Sequence, residues 1–584
     1  MVMDKKQVAD ILEQMGTLLE LQGANPFKIR AFHNGARLVE ALTRDIHDLV
    51  EANELTSVKG IGPSLCQIIT DLVRSGKNRE HEVLKKSIPP GLLEMIRIQG
   101  LGPKRIKLLY EQLKIKSIAE LKKACELHRL TSMDGFGAKT EANILKGIEQ
   151  LSKVSNKHYY HVAQHAAAPF IKRLEGMKEV SKAAIAGSLR RRKEIIGDID
   201  ILVSASKKDR ARISQMFVEH EAVERIIGQG DTKSSVLLKS GINCDLRVVN
   251  ESEFPFALNY FTGSKEHNVE MRTRARKLGL SLNEYGFTST DEKPKNKKSK
   301  LPICSDEEDI YRTLGLDYIH PELREGMGEI EAAAQGRLPN LLQQENLRGT
   351  FHCHSTFSDG SNSIEEMVLG ARKCGWQYWG IADHSQVAAY ARGLSPDRVK
   401  EQHREVDRLN KRYSDFRIFK GTECDILKDG TLDYSDKVLA SFEYVVVSIH
   451  SSFKMTEAEA TKRVIKALKN KYTTILGHPT GRLLLEREGY PLNLGEVIQV
   501  AADYGKAIEI NSHPYRLDLD WRWLKFAKQK GVRIFINPDA HNVDGLADVE
   551  YGVGIARKGW LEASDVVNTW PTKKVESYLE SVRR

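Results

Sequence analysis

Hydrophobic and polar positions along the chain fall into three regimes. Up to about residue 150 apolar residues recur at helical spacing, and "MVMDKKQVADILEQMGTLLE" (1–20) sets them along one stripe of an amphipathic helix. Near residue 183 the pattern changes. "AAIAGSLRRRKEIIGDIDILVSA" (183–205) and "INCDLRVV" (242–249) carry alternating or continuous apolar runs, which predict strands. Beyond residue 349 short apolar runs alternate with helical stretches, the pattern of βαβ units around a parallel sheet or barrel. Between these regimes "TSTDEKPKNKKSK" (288–300) predicts an exposed loop or hairpin tip, and "EAAAQGRLPNLLQQENLRG" (331–349) a linker.

A chain of 584 residues is too long for one core and implies several domains. Its hydrophobic and charged fractions, 41% and 29%, are those of a soluble globular protein. The net charge of +10 favours an acidic partner such as nucleic acid. Seven scattered cysteines with no CxxC pair argue against a disulfide framework and for a reducing compartment, so a cytoplasmic protein is expected; a monomer is expected as well. No apolar run approaches the roughly 18–20 residues of a membrane span.

A weak repeat punctuates the helical region: "VKGIGPSL" (58–65), "IQGLGPKRI" (98–106) and "MDGFGAKTEANIL" (133–145). Each sets an apolar residue between two glycines ahead of helical sequence. Glycines permit a tight turn, and the next helix offers its first amides to an anion. The repeat resembles the helix-hairpin-helix motif, which holds DNA backbone phosphates without reading bases. Gly60, Gly62, Gly100, Gly102, Lys104, Gly135, Gly137 and Lys139 are the candidate DNA-binding residues.

Asp198 and Asp200 flank Ile199 at the start of an apolar strand and so share one face. Asp245 comes from the second strand. Three carboxylates at close quarters repel one another unless cations sit between them, and Mg²⁺ suits a few carboxylates plus substrate phosphates. The preceding Gly187 and Ser188 offer an amide and a hydroxyl to a triphosphate, and Arg191 offers charge.

These residues resemble the nucleotidyltransferase signature, and more closely that of family X DNA polymerases, the group of DNA polymerase β. "NYFTGSKEHNVEMRTRARKLGLSLNEYGF" (259–287) and "SDEEDIYRTLGLDYIHPELREG" (305–326) extend the likeness. The resemblance implies attack of a primer 3′-hydroxyl on the α-phosphate of a dNTP. Asp198, Asp200 and Asp245 would be the catalytic ligands of Mg²⁺ or Mn²⁺. Gly187, Ser188, Arg191, Gly197, Tyr260, Phe261, Gly263, Asn268 and Arg272 would bind the nucleotide. Two positions depart from the family. Lys265 stands where the family has an Asp. Ile68 stands at the Schiff-base lysine of its 5′-deoxyribose phosphate lyase, with Lys77 a distant substitute.

In "HCHSTFSDG" (352–360), His352 and His354 would converge on one face of a strand with Asp359 close behind. Later apolar runs also end in ligand types: "YWGIADH" in His384, "FRIFKGTE" in Glu423, "FEYVVVSIH" in His450, "YTTILGH" in His478 and "VRIFINPDAH" in Asp539 and His541. In barrels of parallel strands, active sites gather at such strand ends. The set resembles the PHP (polymerase and histidinol phosphatase) domain, which implies a distorted (βα)7 barrel holding up to three divalent ions. The His and carboxylate mixture suits Mn²⁺, Zn²⁺ or Fe²⁺. Hydrolysis of phosphodiesters is implied, as a 3′-5′ exonuclease or 3′-end processing activity. A purely structural PHP domain and a small-molecule phosphatase are the alternatives. Glu509 and His513 read as partners of the ligands or as polar residues of the core. Arg392 and Arg482 read as phosphate-binding or solvated side chains.

The expected architecture is multidomain, α and α/β. A helix-hairpin-helix domain spans 1–82, a helical fingers-type domain 83–150, a nucleotidyltransferase palm 151–250 and a thumb-type domain 251–326. A linker follows at 327–348 and a PHP barrel at 349–584. The expected partners are gapped or primer-template DNA and dNTPs, with no membrane.

Overall fold

The computed structural model describes residues 3–583 apart from 4, 41, 43–45, 59, 99, 132, 155 and 291–300. The chain forms two compact units, Met1–Ser155 and Asn156–Arg584. No helix among the described residues is long and apolar enough to cross a membrane.

The first unit is all helical. Its three glycine pairs follow one plan. Gly60, Gly100 and Gly135 lead at φ of +106°, +84° and +82°, where a side chain would be strained. Gly62, Gly102 and Gly137 follow, and a Cβ on any of them would meet nothing within 4 Å. Gly62 and Gly102 cap the helices Pro63–Ser75 and Pro103–Leu113, each with Pro at its first position. Lys104 and Lys139 are exposed beside these openings. Leu12 and Leu72, before the expected division at residue 82, pack with Leu84, Met95, Leu109 and Ile144 beyond it in one cluster. The amphipathic stripes required each helix to be covered but left open by which neighbour.

The second unit begins with a five-stranded sheet. Its order is Val180–Ile185, Asp198–Ala205, Asn243–Val249, Lys233–Leu238 and Val223–Gly228. Helices Phe254–Thr262 and Lys265–Lys277 lead into a hydrophobic cluster around Met271, Tyr311 and Leu314. That cluster corrects the expected linker. Within 327–348 the helix Glu329–Ala334 buries Ile330 and Ala333 against it, and Leu341 bridges to Glu562. Gly336, Pro339 and Gln343 made the segment read as open chain, yet its Ile, Ala and Leu side chains are covered. Of the expected loop at 288–300, residues 288 and 289 end the strand Gly286–Ser289, and 291–300 lie outside the described residues.

Seven parallel strands then run in chain order: Gly349–Thr350, Tyr378–Ile381, Arg417–Asp425, Tyr444–Ser448, Ile475–Leu476, Ala507–Asn511 and Ile534–Asn537. A parallel bridge between Cys353 and Ala540 brings the last strand back to the first, so the barrel is nearly closed. Aromatic rings fill its interior. Gly380 and Gly421 make room for Tyr444, since a Cβ would fall 2.4 and 2.1 Å from its ring atoms or hydroxyl. The buried Tyr444 hydroxyl lies 2.6 Å from the carbonyls of Phe351 and Ile381 and joins three segments of the wall.

Two candidate metal centres

Strand register brings the first carboxylate set together. Asp198–Ala205 and Asn243–Val249 pair in parallel, with Asp200 directly opposite Asp245. Asp198 points to the same face by strand alternation. Burial, then the neighbouring Asp198 and Asp245, push the Asp200 carboxyl up to about 6. Crowded carboxylates of this kind fit a divalent cation. Sequence reasoning missed Lys233, whose ammonium lies 2.8 Å from Asp245 on the adjoining strand. Gly187 abuts the set: its φ is +64°, and a Cβ there would lie 2.2 Å from Asp200 Oδ2.

The expected nucleotide pocket is assembled only in part. Tyr260 and Phe261 meet edge to face at 5.2 Å, and the Arg247 guanidinium lies 4.2 Å over Phe261. Asn268 donates to the Tyr260 carbonyl at 2.7 Å, and Arg272 to the Asn268 carbonyl at 3.2 Å. Gly263 leaves the space Asn268 occupies. Ser188 is half-buried in the short helix Gly187–Arg190, and Gly197 precedes the strand Asp198–Ala205. The Arg191 guanidinium donates to Glu325 at 2.9 Å and to the Thr262 carbonyl at 2.7 Å. Lys265 is exposed at the start of its helix.

Ile68 is buried in the first unit and lines a cavity of about 690 Å³ with Ser64, Asn78 and Arg79. No lysine is among the cavity's lining residues, and Lys77 is exposed.

In the barrel, all nine expected ligands converge at the C-terminal strand ends. Ligand atoms of His354, Asp359, His384 and His541 lie within 4.8 Å of one another; so do those of His352, His354 and Asp539, and those of His384, Glu423 and His450. His478 Nε2 completes the set, 2.9 Å from Glu423. Electrostatics separates the histidines. Burial opposes charge on His352, but Glu509, Asp539 and Glu423 hold it well above its ordinary value. Burial, with His541 and His384 beside it, lowers His354 to about 4 and keeps it a neutral donor. His352 Nε2 and His354 Nδ1 are buried without an aligned hydrogen-bond partner and meet carboxylates only at 3.4 and 3.8 Å. Buried nitrogen lone pairs among carboxylates are the donor set of a divalent transition ion.

Partners behind the ligands set their orientation. Glu509 lies 2.8 Å from His352 Nδ1 and accepts from the His478 amide and from the Asn511 and Asn537 side chains. Asp425, which sequence reasoning missed, lies 3.2 Å from His450 Nδ1. It sits two residues after Glu423 on one strand, so the same alternation could have found it. The His513 ring packs against Tyr515, with centroids 5.4 Å apart. Arg482 is neither solvated nor open to phosphate, because it ties Asp520 and the carbonyls of Arg516 and Leu517. Arg392 is exposed at a turn with φ +56°.

Known families match these parts: a helix-hairpin-helix domain over 3–78 and a helix-hairpin-helix tandem over 92–150. The DNA polymerase beta thumb matches 257–325 and the PHP domain 350–513. The DNA polymerase/3′-5′ exonuclease PolX of Bacillus subtilis is 38% identical over 580 residues, 99% of this chain and 100% of that protein. The chain belongs to the PolX family. Other similar proteins cover parts of it. Rat DNA polymerase lambda is 25% identical over 54% of the chain and 56% of its own length. A probable phosphatase of Thermoanaerobacter sp. (strain X514) is 29% identical over 29% of the chain and 69% of its own length. In this PolX-family chain Asp539 and His541 lie beyond the PHP match, and the closing strand Ile534–Asn537 carries them back to the cluster.

Proposed function

We propose that the chain is a DNA-directed DNA polymerase that fills short gaps in repair and processes 3′ ends through a 3′-5′ exonuclease centre in its barrel. The observation that carries this reading is the presence of two separate ligand sets on two sheets: three carboxylates on the five-stranded sheet, and nine histidines and carboxylates at the barrel mouth. When bound, divalent ions neutralise phosphate charge at the first centre and activate water at the second. Asp198, Asp200 and Asp245 would hold Mg²⁺ or Mn²⁺, and the barrel set up to three of Mn²⁺, Zn²⁺ or Fe²⁺. The Tyr260–Phe261 edge and Gly263 would seat the sugar and base of a dNTP, with Asn268 and Arg272 toward the nascent pair. The Gly187 amide and Ser188 would take triphosphate oxygens, joined by Arg191 once it leaves Glu325. The primer 3′-hydroxyl then attacks the α-phosphate, and pyrophosphate leaves. The open helix starts after Gly62, Gly102 and Gly137 would grip DNA phosphates. Seven free cysteines accord with a reducing compartment such as the cytoplasm; the protein would act as a monomer.

The test is the length of a 5′-labelled primer in a one-nucleotide gap, with Mn²⁺, with and without dNTPs. Asp198→Ala/Asp200→Ala is expected to lose extension alone, and His352→Ala/His354→Ala shortening alone. Shortening that survives the histidine changes would overturn the nuclease assignment. Faster cleavage of a phosphomonoester than of DNA would favour the phosphatase alternative.

A further inference from the structure

The segment between the Gly187–Arg190 helix and the catalytic strand is gripped by the barrel. Trp521 Nε1 donates to Glu194 at 3.1 Å, and a Cβ on Gly554 would meet Arg192 at 3.0 Å. At the centre stands Lys558, the last residue of the barrel helix Val549–Lys558, with its side chain fully buried. Its ammonium lies 2.5 Å from Glu325 Oε1 and 3.1 Å from the Arg191 carbonyl, with the Trp521 ring 4.6 Å away. The same Glu325 oxygen accepts from Arg191 Nε. One buried carboxylate oxygen therefore serves two cations, one from each catalytic region.

We propose that Lys558 is a positioning residue for the polymerase reaction, a barrel side chain that sets how readily Arg191 moves from Glu325 to the triphosphate of the incoming nucleotide. This rests on the assignment of Arg191 to the triphosphate made above. If Arg191 left Glu325 with no second cation present, a buried carboxylate would be stranded, which is strongly unfavourable. Lys558 removes that obstacle by remaining paired with Glu325. The barrel thus contributes to nucleotide binding independently of its own metal centre.

The experiment measures KM and kcat for dNTP in a one-nucleotide gap, alongside 3′ shortening of single-stranded DNA and thermal midpoints, all on the full chain. Lys558→Met is expected to raise KM about tenfold, within the range of directly coupled groups, with kcat and shortening near wild type. Glu325→Gln is expected to lower KM, because it releases Arg191. In the double variant the Lys558→Met effect should vanish, since no carboxylate is left to strand. A purely structural role would not produce shifts of opposite sign, and should Lys558→Met fail to fold, Lys558→Gln is read in its place, where an unchanged KM overturns the proposal. Arg191→Ala separates the two levels. If it raises KM while neither other variant moves it, the coupling through Lys558 is refuted and the assignment of Arg191 stands. If Arg191→Ala leaves KM unchanged, that assignment fails.

Discussion

Glu307 ties Arg190, at the end of the helix Gly187–Arg190, to the buried Arg324, and the Glu307→Gln substitution tests how strongly. Its carboxylate is 6% exposed and receives Arg190 and Arg324, each at 2.5 Å. Arg324 has no exposed surface. Burial pushes the Glu307 carboxyl up, but Arg324 and Arg190 more than offset this and bring it from 4.5 to about 2. A fall from 4.5 to about 2 is worth about 3 kcal/mol of stability at neutral pH. Because the folded value is the lower one, the contribution is complete above about pH 4.5 and declines as pH falls toward 2. By the same linkage it should be about 2 kcal/mol at about pH 3.5. Glu307→Gln leaves Arg324 buried without a counter-charge, a loss put at about 3–5 kcal/mol for buried pairs. All six tryptophans lie between residues 376 and 570, so tryptophan fluorescence during urea unfolding reports the second unit alone. The expected result is a deficit of about 3 kcal/mol at pH 7 that narrows below pH 4.5. A deficit under about 1 kcal/mol, the scale of an exposed ion pair, or one that does not vary with pH, would refute the reasoning.

Other substitutions address the two centres and the DNA grip separately. Gly187→Ala would force a Cβ to within 2.2 Å of Asp200 at a φ of +64°, so primer extension should be lost while shortening persists. Glu509→Gln would remove the negative charge behind His352 Nδ1 and turn one of two accepting oxygens into a donor, and ion titration should show barrel affinity weakened by about 10–100-fold, with slower shortening and unchanged extension. Replacing Lys104 and Lys139 with alanine should lower DNA affinity about equally for all sequences. It should also flatten the dependence of log K on log salt by about one unit for each phosphate that the protein no longer neutralises.

The ligands were readable because their chemistry is written in local spacing. In a strand, residues two apart share a face, so Asp198 with Asp200 and His352 with His354 could be paired before any fold was known. Strand ends facing one way in a parallel barrel then collected His384, Glu423, His450 and His478 into the same site, as found. The same rule applied to Glu423 would have yielded Asp425.

What was not legible depends on tertiary contact. Glu325 and Lys558 are 233 positions apart and meet at 2.5 Å. No spacing rule joins them, and each alone reads as an ordinary surface charge. Arg191 shows the consequence: its place in the motif marks it for phosphate, while its actual partners, Glu325 and the Thr262 carbonyl, follow from packing. The segment at 331–349 failed for a related reason. Glycine, proline and glutamine describe backbone freedom, whereas burial of Ile330, Ala333 and Leu341 depends on a groove built by residues far along the chain, Trp560 among them. Motifs therefore located the reacting centres, and the groups that link one centre to the other became visible only where the two regions touch.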